Sequence, residues 1–308
     1  MVWAAGDALI CAVRVLIIGC GYVGFPLGTE LARAGHEVFG LTRSGANAAT
    51  LQAGGVRPLV ADITRRADLD ALPGPFDWVV NAVSSNKGGA EDYRRIYLDG
   101  MRNVLQWMES APPKKFVHTS STSVYGQTDG SLVKETSPTE PKGELAQILV
   151  AAEQLLLEAA RATKVPAIII RAAGIYGPGR GHLFLQYLKN EARIAGRGER
   201  LLNMIHRDDL AASIMVALKS GRPGEIYNAC DDEPVPQIHF FRWLSETLGK
   251  NMPPFVSEDA GAPRKRALTH KKVSNRRLRM ELGCVLRYPT FRQGYTAEIQ
   301  RLQDAGEL

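Results

Sequence analysis

The chain has 308 residues, 45% hydrophobic and 23% charged, which is room for about two domains around a large buried core. That balance is typical of a globular chain, so disorder is not the default, and no apolar run approaches the ~18 residues of a membrane span. The net charge of +6 is local: "RKRALTHKKVSNRRLR", Arg264 to Arg279, holds eight Lys/Arg and no acid, and the remainder is slightly acidic. With no aromatic platform beside that charge, nucleic-acid binding is not expected; a solvated surface or an anion site for a phosphorylated substrate are the two readings of the run.

The opening "MVWAAGDALICAV" lacks a basic n-region and runs into a core strand, so it reads as a short extension and not as a cleaved signal. Cys11, Cys20, Cys230 and Cys284 are spread widely with no C-x-x-C pair. That suits a reducing cytoplasm and suggests neither disulfides nor a metal site. "VRVLIIG" (13–19) is a buried strand, followed by a helix from Val23 to Ala34 that Gly35 stops. Further strands are expected at 36–43, 56–62, 77–83, 114–121 and 165–171. Helical patterns fall between them near 46–53, 65–71 and 91–110, and from Pro141 onward.

Short apolar strands alternating with helices give parallel β-α-β units, and right-handed crossovers wind them into a Rossmann-type doubly wound α/β sheet. After Arg171 the rhythm breaks into a loop "AAGIYGPGRG", helices, a strand at 224–230, a helix at 237–249, the basic run and a terminal helix. We therefore expect a dinucleotide-binding domain over 1–172 and a smaller C-terminal substrate domain over 173–308, with 204–230 returning to the first.

"IIGCGYVG" sets Gly19, Gly21 and Gly24 between the first strand and the first helix. At that junction the first glycine allows the tight turn, the second lets a pyrophosphate approach the backbone, and the third lets helix pack on strand. Tyr22 and Val23 complete the turn, and Cys20 there is read as a small residue and not as a reactive thiol. The second strand ends in "GLTRSG", where an NAD site usually carries a carboxylate. Thr42, Arg43 and Ser44 stand there instead, and a guanidinium suits a 2′-phosphate, so NADP is expected over NAD. Asp62, near the adenine or capping a helix, and Ala82 and Val83 at the end of the fourth strand, complete the expected cofactor site.

With the glycine loop, "VHTSSTSVYG", "RAAGIYGPGR", "NMIHRDDLA" and "IYNACDDEPV" make the chain resemble the extended short-chain dehydrogenase/reductases, the NAD-dependent epimerase/dehydratase family. The resemblance implies a serine at Ser121, four residues before Tyr125, that bonds the substrate oxygen. It also implies a Tyr-x-x-x-Lys pair on the next helix, for proton transfer and ribose binding. Aligned on "AAE", those two places hold Leu145 and Leu149, and no Tyr-x-x-x-Lys occurs elsewhere, as in atypical members that lack the dyad. A positioned acid-base group contributes about 10² to 10⁴-fold, none of which leucine supplies.

Candidate replacements are Tyr125, Glu144, Tyr176 and His206, each with a structural alternative: loop packing, a solvated first-turn acid, a pocket wall and a domain tie. The resemblance also places Tyr176, Arg180, Asn203 and His206 with Ser121 around a small polar substrate, a sugar nucleotide being one option. Asp208 and Asp209 read as caps of a helix start. Two functions follow: an NADP-dependent oxidoreductase or epimerase/dehydratase with a relocated acid, or a dinucleotide-binding sensor or scaffold without turnover. A homodimer through helices 91–110 and 141–163 is a further implication.

Overall fold

The computed structural model describes residues 12–85, 89–163, 165–257 and 269–308; Cys11 and residues 264–268 of the basic run lie outside them. Seven parallel strands form one sheet: β1 (Arg14–Ile18), β2 (Glu37–Thr42), β3 (Arg57–Val60), β4 (Trp78–Asn81), β5 (Lys115–Ser121), β6 (Ala167–Ala172) and β7 (Ile226–Ala229). Their order across the sheet is β7-β6-β5-β4-β1-β2-β3. The seventh strand pairs with β6, Ile226 opposite Ile169, so the chain returns to the sheet after a long excursion.

Both faces of the sheet are covered, as continuous apolar strands require. Along β1, Val15 and Ile17 enter one core while Leu16 and Ile18 enter the other. The order reverses at β1, which pairs with β2 on one side and β4 on the other, leaving a crevice beyond the carboxyl ends of those strands. A separate apolar core, including Phe184, Phe240, Phe241, Phe291 and Tyr295, holds the C-terminal elements together.

Three local expectations change. The helical pattern over 91–110 is not one α-helix: Ala90–Tyr93 and Gly100–Glu109 flank a π-helical turn over Arg94–Asp99. That turn shifts the side-chain register by a residue and re-aims Tyr97. The loop after β6 contains a strand, Gly174–Tyr176, that pairs in parallel with Met204–His206. The helix in "NMIHRDDLA" begins only afterwards, at Arg207.

The basic run is not a free surface either. Lys272–Val273 pairs with Leu132–Val133, and Arg277 forms ion pairs with Glu225 and Glu281. Asp209 is not an exposed cap: it is buried and accepts from the backbone N–H groups of Arg287 (2.7 Å) and Tyr288 (2.9 Å), fastening the C-terminal segment. Among the described residues no helix is long and apolar enough to cross a membrane.

Candidate functional site

A cleft of about 1780 Å³ runs from the glycine loop, past the end of β5, to the C-terminal elements. It is lined by Gly19, Gly21, Tyr22, Val23, Thr42, Arg43, Ser44, Asp62, Ala82 and Val83 at one end. Beyond them come Ser121, Leu145, Leu149, Tyr176, Arg180 and Asn203. Residues as far apart in sequence as Gly19 and Asn203 therefore share one cavity because parallel strands end on one edge.

The glycine loop is built for close approach. Gly19 has φ +83°, and a Cβ there would lie 2.8 Å from the backbone of Ala82 and Val83. At Gly24 a Cβ would meet the Gly19 carbonyl at 2.7 Å, so this glycine packs the helix on the turn instead of lining the cleft. Gly21 differs: a Cβ there would find no atom within 4 Å, so its backbone faces open cleft. The helix that follows, Gly24–Arg33, has no side-chain cap and no acid in its first turn. Its positive end is left for an outside anion, which fits a dinucleotide pyrophosphate.

Arg43 stands exposed at the cleft rim, and the loop 42–44 carries no carboxylate. Asp62 lines the cleft and its Oδ1 accepts from the Thr64 N–H (2.9 Å) and hydroxyl (2.8 Å), closing a turn; it is not the expected helix cap, because the following helix starts only at Arg66, behind Arg65. Burial opposes its ionisation, but the Thr64 hydrogen bonds and the Arg95 and Arg43 charges hold the carboxyl below its usual value. Burial drives the Cys20 thiol up to about 12, so no thiolate forms in the loop.

Ser121 ends β5 and its Oγ accepts from the Ser123 N–H at 3.2 Å, which caps the turn Thr122–Val124. The hydroxyl proton remains for a second partner. Leu145 and Leu149, four residues apart on the helix Glu144–Thr163, fall on one face of it and line the cleft.

Of the four candidate replacement acids, three do not line this cleft. Tyr125 is fully buried; its hydroxyl donates to Asn228 Oδ1 (2.9 Å) and accepts from Arg171 Nη1 (2.8 Å), so it is a strut under the serine loop. Glu144 points to solvent and pairs with Arg94 at 2.6 Å. His206, also expected to touch substrate, is buried and its Nδ1 accepts from the Asp208 N–H (3.2 Å), capping the helix Arg207–Ser220. Burial, against an opposing pull from Asp208, holds the imidazole near 4 and so uncharged at neutral pH.

Tyr176 does line the cleft but as a wall: it is 1% exposed and stacks on Tyr295 with ring centroids 4.4 Å apart. Burial, then the charge of Asp231, pushes its phenol far above the ordinary range. Asn203 has its amide engaged, donating to the Lys271 carbonyl (2.9 Å) and accepting from the Val273 N–H (2.8 Å). It clamps the basic run to the cleft. Arg180 lies over the Tyr22 ring at 4.9 Å, tying the loop after Tyr176 to the glycine turn.

Two cleft residues carry no mark in the sequence. Tyr97 sits in an ordinary amphipathic pattern and reaches the cleft through the π-helical turn, which packs on the helix bearing Leu145 and Leu149. Lys271 is one cation in a basic run, yet it lines the cleft and is 3% exposed, while its neighbour Lys272 is exposed. A spacing argument finds neither, because long-range packing sets both.

Residues 15–230 match the model of the NAD dependent epimerase/dehydratase family. The chain is 29% identical to protein YeeZ of Escherichia coli over 289 residues, 90% of this chain and 96% of that one. It is 25% identical over 312 residues to a 3-diazoavenalumate denitrifying reductase of a Streptomyces, covering 93% of this chain and all of the relative. In structure it is similar to the dTDP-glucose 4,6-dehydratase DesIV of Streptomyces venezuelae, solved with NAD, with a TM-score of 0.82 over 94% of this chain and 97% of that one. Identity there is 22%, a likeness of fold. With a seven-stranded parallel sheet, a glycine loop at the switch point and a serine at the end of β5, the chain belongs to the NAD-dependent epimerase/dehydratase family of extended short-chain dehydrogenase/reductases.

Proposed function

We propose that the protein is an NADP-dependent oxidoreductase or epimerase/dehydratase of the atypical extended type, acting on a small polar, anionic substrate such as a sugar nucleotide. The observation that carries the reading is the single cleft that joins the glycine loop and Arg43 to Ser121 and a cationic far end. Gly21 and the uncapped helix start would hold the pyrophosphate, and Arg43 would bond the 2′-phosphate that a carboxylate would repel. When bound, the nicotinamide supplies the hydride. Ser121 orients the substrate oxygen through its free hydroxyl proton.

Leu145 and Leu149 stand, on this reading, where relatives carry the tyrosine and lysine, and they keep that wall of the cleft apolar. The proton for the substrate oxygen then comes from another element, and Tyr97 is our assignment for it. Its segment packs against the leucine-bearing helix, and it lines the same cavity as Ser121. A dimer through helices 91–110 and 141–163 would bury the outer faces of that pair.

The second reading, a dinucleotide sensor without turnover, is favoured by one observation. Tyr125, Glu144 and His206 are all committed to structural bonds outside the cleft. The test is a hydride-transfer screen with NADPH and a panel of uridine- and thymidine-linked sugars, run on the natural protein and on Ser121→Ala. Turnover that Ser121→Ala abolishes supports the enzyme; background rates throughout, with intact NADP binding, favour the sensor.

A further inference from the structure

Among the described residues, Lys271 is the one cation lining the cleft that is buried and has no acid paired with it. Its Nζ donates to the Tyr125 carbonyl at 2.7 Å and to the Thr269 hydroxyl at 2.9 Å, and among the described residues no carboxylate pairs with it. An ammonium has three hydrogens, so these neutral acceptors leave one unused. Burying an unpaired charge is costly, and a protein ordinarily compensates it with a counter-ion or by releasing the proton. Burial does pull this ammonium down from its usual value to about 8. The group is therefore still mostly charged at neutral pH.

The surroundings favour an anion as the missing counter-ion. Away from Arg43 and Asp62, the cleft is lined by Lys142, Arg180, Arg193 and Arg200 against the carboxylate of Glu191. Lys271 is held rigidly in that field. Its own carbonyl is bonded to Asn203, and Val273, two residues on, to the same amide. Its Nζ is fixed under the loop that begins at Ser121, so an oxyanion bound there would stand in a set relation to that serine. We propose that Lys271 is the anchoring residue of the substrate end of the cleft, taking a phosphate or carboxylate oxygen of the substrate on its unused ammonium hydrogen. The inference rests on the reading of the cleft as a substrate cleft, and it assigns to one buried side chain the anion recognition that the basic run suggests only in bulk.

A consequence is that anion binding depends on the lysine's proton. The charged groups around it are His270 beside it in the chain, Arg200 next to the Leu201 N–H that His270 accepts from, Lys142, Arg180, Arg193 and Glu191 along the cleft lining, and the buried Asp231 bonded to Met204 of that lining. Lys271, drawn down by burial to about 8, loses its charge between pH 7 and about 9.5, while the buried Asp231 carboxyl, raised to about 8, gains one over the same range, so the Lys271→Arg variant is what separates the two.

The test uses the full chain saturated with NADP, whose binding is measured first by nucleotide fluorescence, so that failure of the cofactor site is seen separately. Uridine diphosphate serves as the phosphate probe and malonate as the carboxylate probe, each titrated calorimetrically from pH 7 to about 9.5. The expected result is that one probe binds the natural protein at pH 7 and weakens about tenfold or more towards the alkaline end. Lys271→Met should bind it about tenfold or more weakly at pH 7, and Lys271→Arg should bind it without the alkaline loss. Which probe binds identifies the oxyanion. If Lys271→Met fails to fold, as its melting curve would reveal, the contrast between the natural protein and Lys271→Arg decides. Equal affinity in Lys271→Met, a flat profile in the natural protein, or binding of neither probe while NADP binds would overturn the proposal.

Discussion

Arg171 on β6 donates to both carboxylate oxygens of Glu153, 2.6 Å through Nη2, with each side chain only 4% exposed. The pair fastens the helix bearing Leu145 and Leu149 to the sheet. Ser120, next to Ser121, donates to the same carboxylate at 2.5 Å, and Arg171 reaches Tyr125 beneath the loop. The serine is thus positioned from behind by a buried ion pair that never touches the cleft. Glu153→Gln keeps the volume and removes the charge, leaving a buried guanidinium uncompensated. It should cost about 3–5 kcal/mol in urea denaturation. A loss below about 1 kcal/mol, the range of an exposed pair, would contradict this account.

Arg43→Ala tests the cofactor preference. Loss of a charge-assisted bond to the 2′-phosphate should weaken NADP on the order of tenfold, with NAD nearly unchanged, in paired fluorescence titrations. Equal losses for both cofactors would show that Arg43 does not read the phosphate.

Tyr97→Phe separates proton transfer from packing. With a sugar nucleotide that turns over in the screen, single-turnover rates should fall about 10² to 10⁴-fold while NADP affinity and melting temperature hold. A rate within about twofold of the natural protein would return the phenol to the apolar wall.

Acid should unfold the protein through two buried histidines. Burial holds both His118 and His206 near 4, against about 6.5 in an unfolded chain. The unfolded state then binds more protons between those values, so stability is full above about pH 6.5 and falls as pH drops through 4. Each histidine contributes on the order of 3 kcal/mol to that loss. Denaturation midpoints measured from pH 7 to 4 should decline, and His118→Gln should shed its share of the decline.

Asp231 acts with the opposite sign. Burial first, then the Glu233, Asp232 and Asp209 charges, raise its carboxyl to about 8, and its Oδ2 has no partner among the described residues. The folded state holds that proton where the unfolded chain has released it, so this residue costs stability as pH rises from about 4 to 8. Asp231→Asn should melt above the natural protein at pH 8, with the gap closing towards pH 4.5. A gap independent of pH would mean that the side chain is not titrating there.

The strands, the glycine loop and the arginine that follows β2 are legible in the linear chain because each depends on near neighbours. β-branched runs such as "VLII" dictate a buried strand, and Gly19 must adopt a positive φ wherever that turn forms. The absence of tyrosine and lysine at Leu145 and Leu149 is likewise a matter of reading positions. Which polar side chains share the cleft with those leucines is not. Tyr125, Glu144 and His206 are as polar in the sequence as any catalytic residue, and only the fold spends them on struts, a surface ion pair and a helix cap. Tyr97 enters the cleft because a π-helical turn rotates it there. Lys271 leaves a basic run for a buried place in the cleft wall, where Asn203, 68 residues earlier, clamps its backbone. The sequence alone determined the sheet, the switch point and the cofactor loop, since those follow from local periodicity and steric limits. Tertiary structure decided which side chains face the cavity and which charges are stripped of water, because burial and partnership are properties of residues brought together from distant parts of the chain.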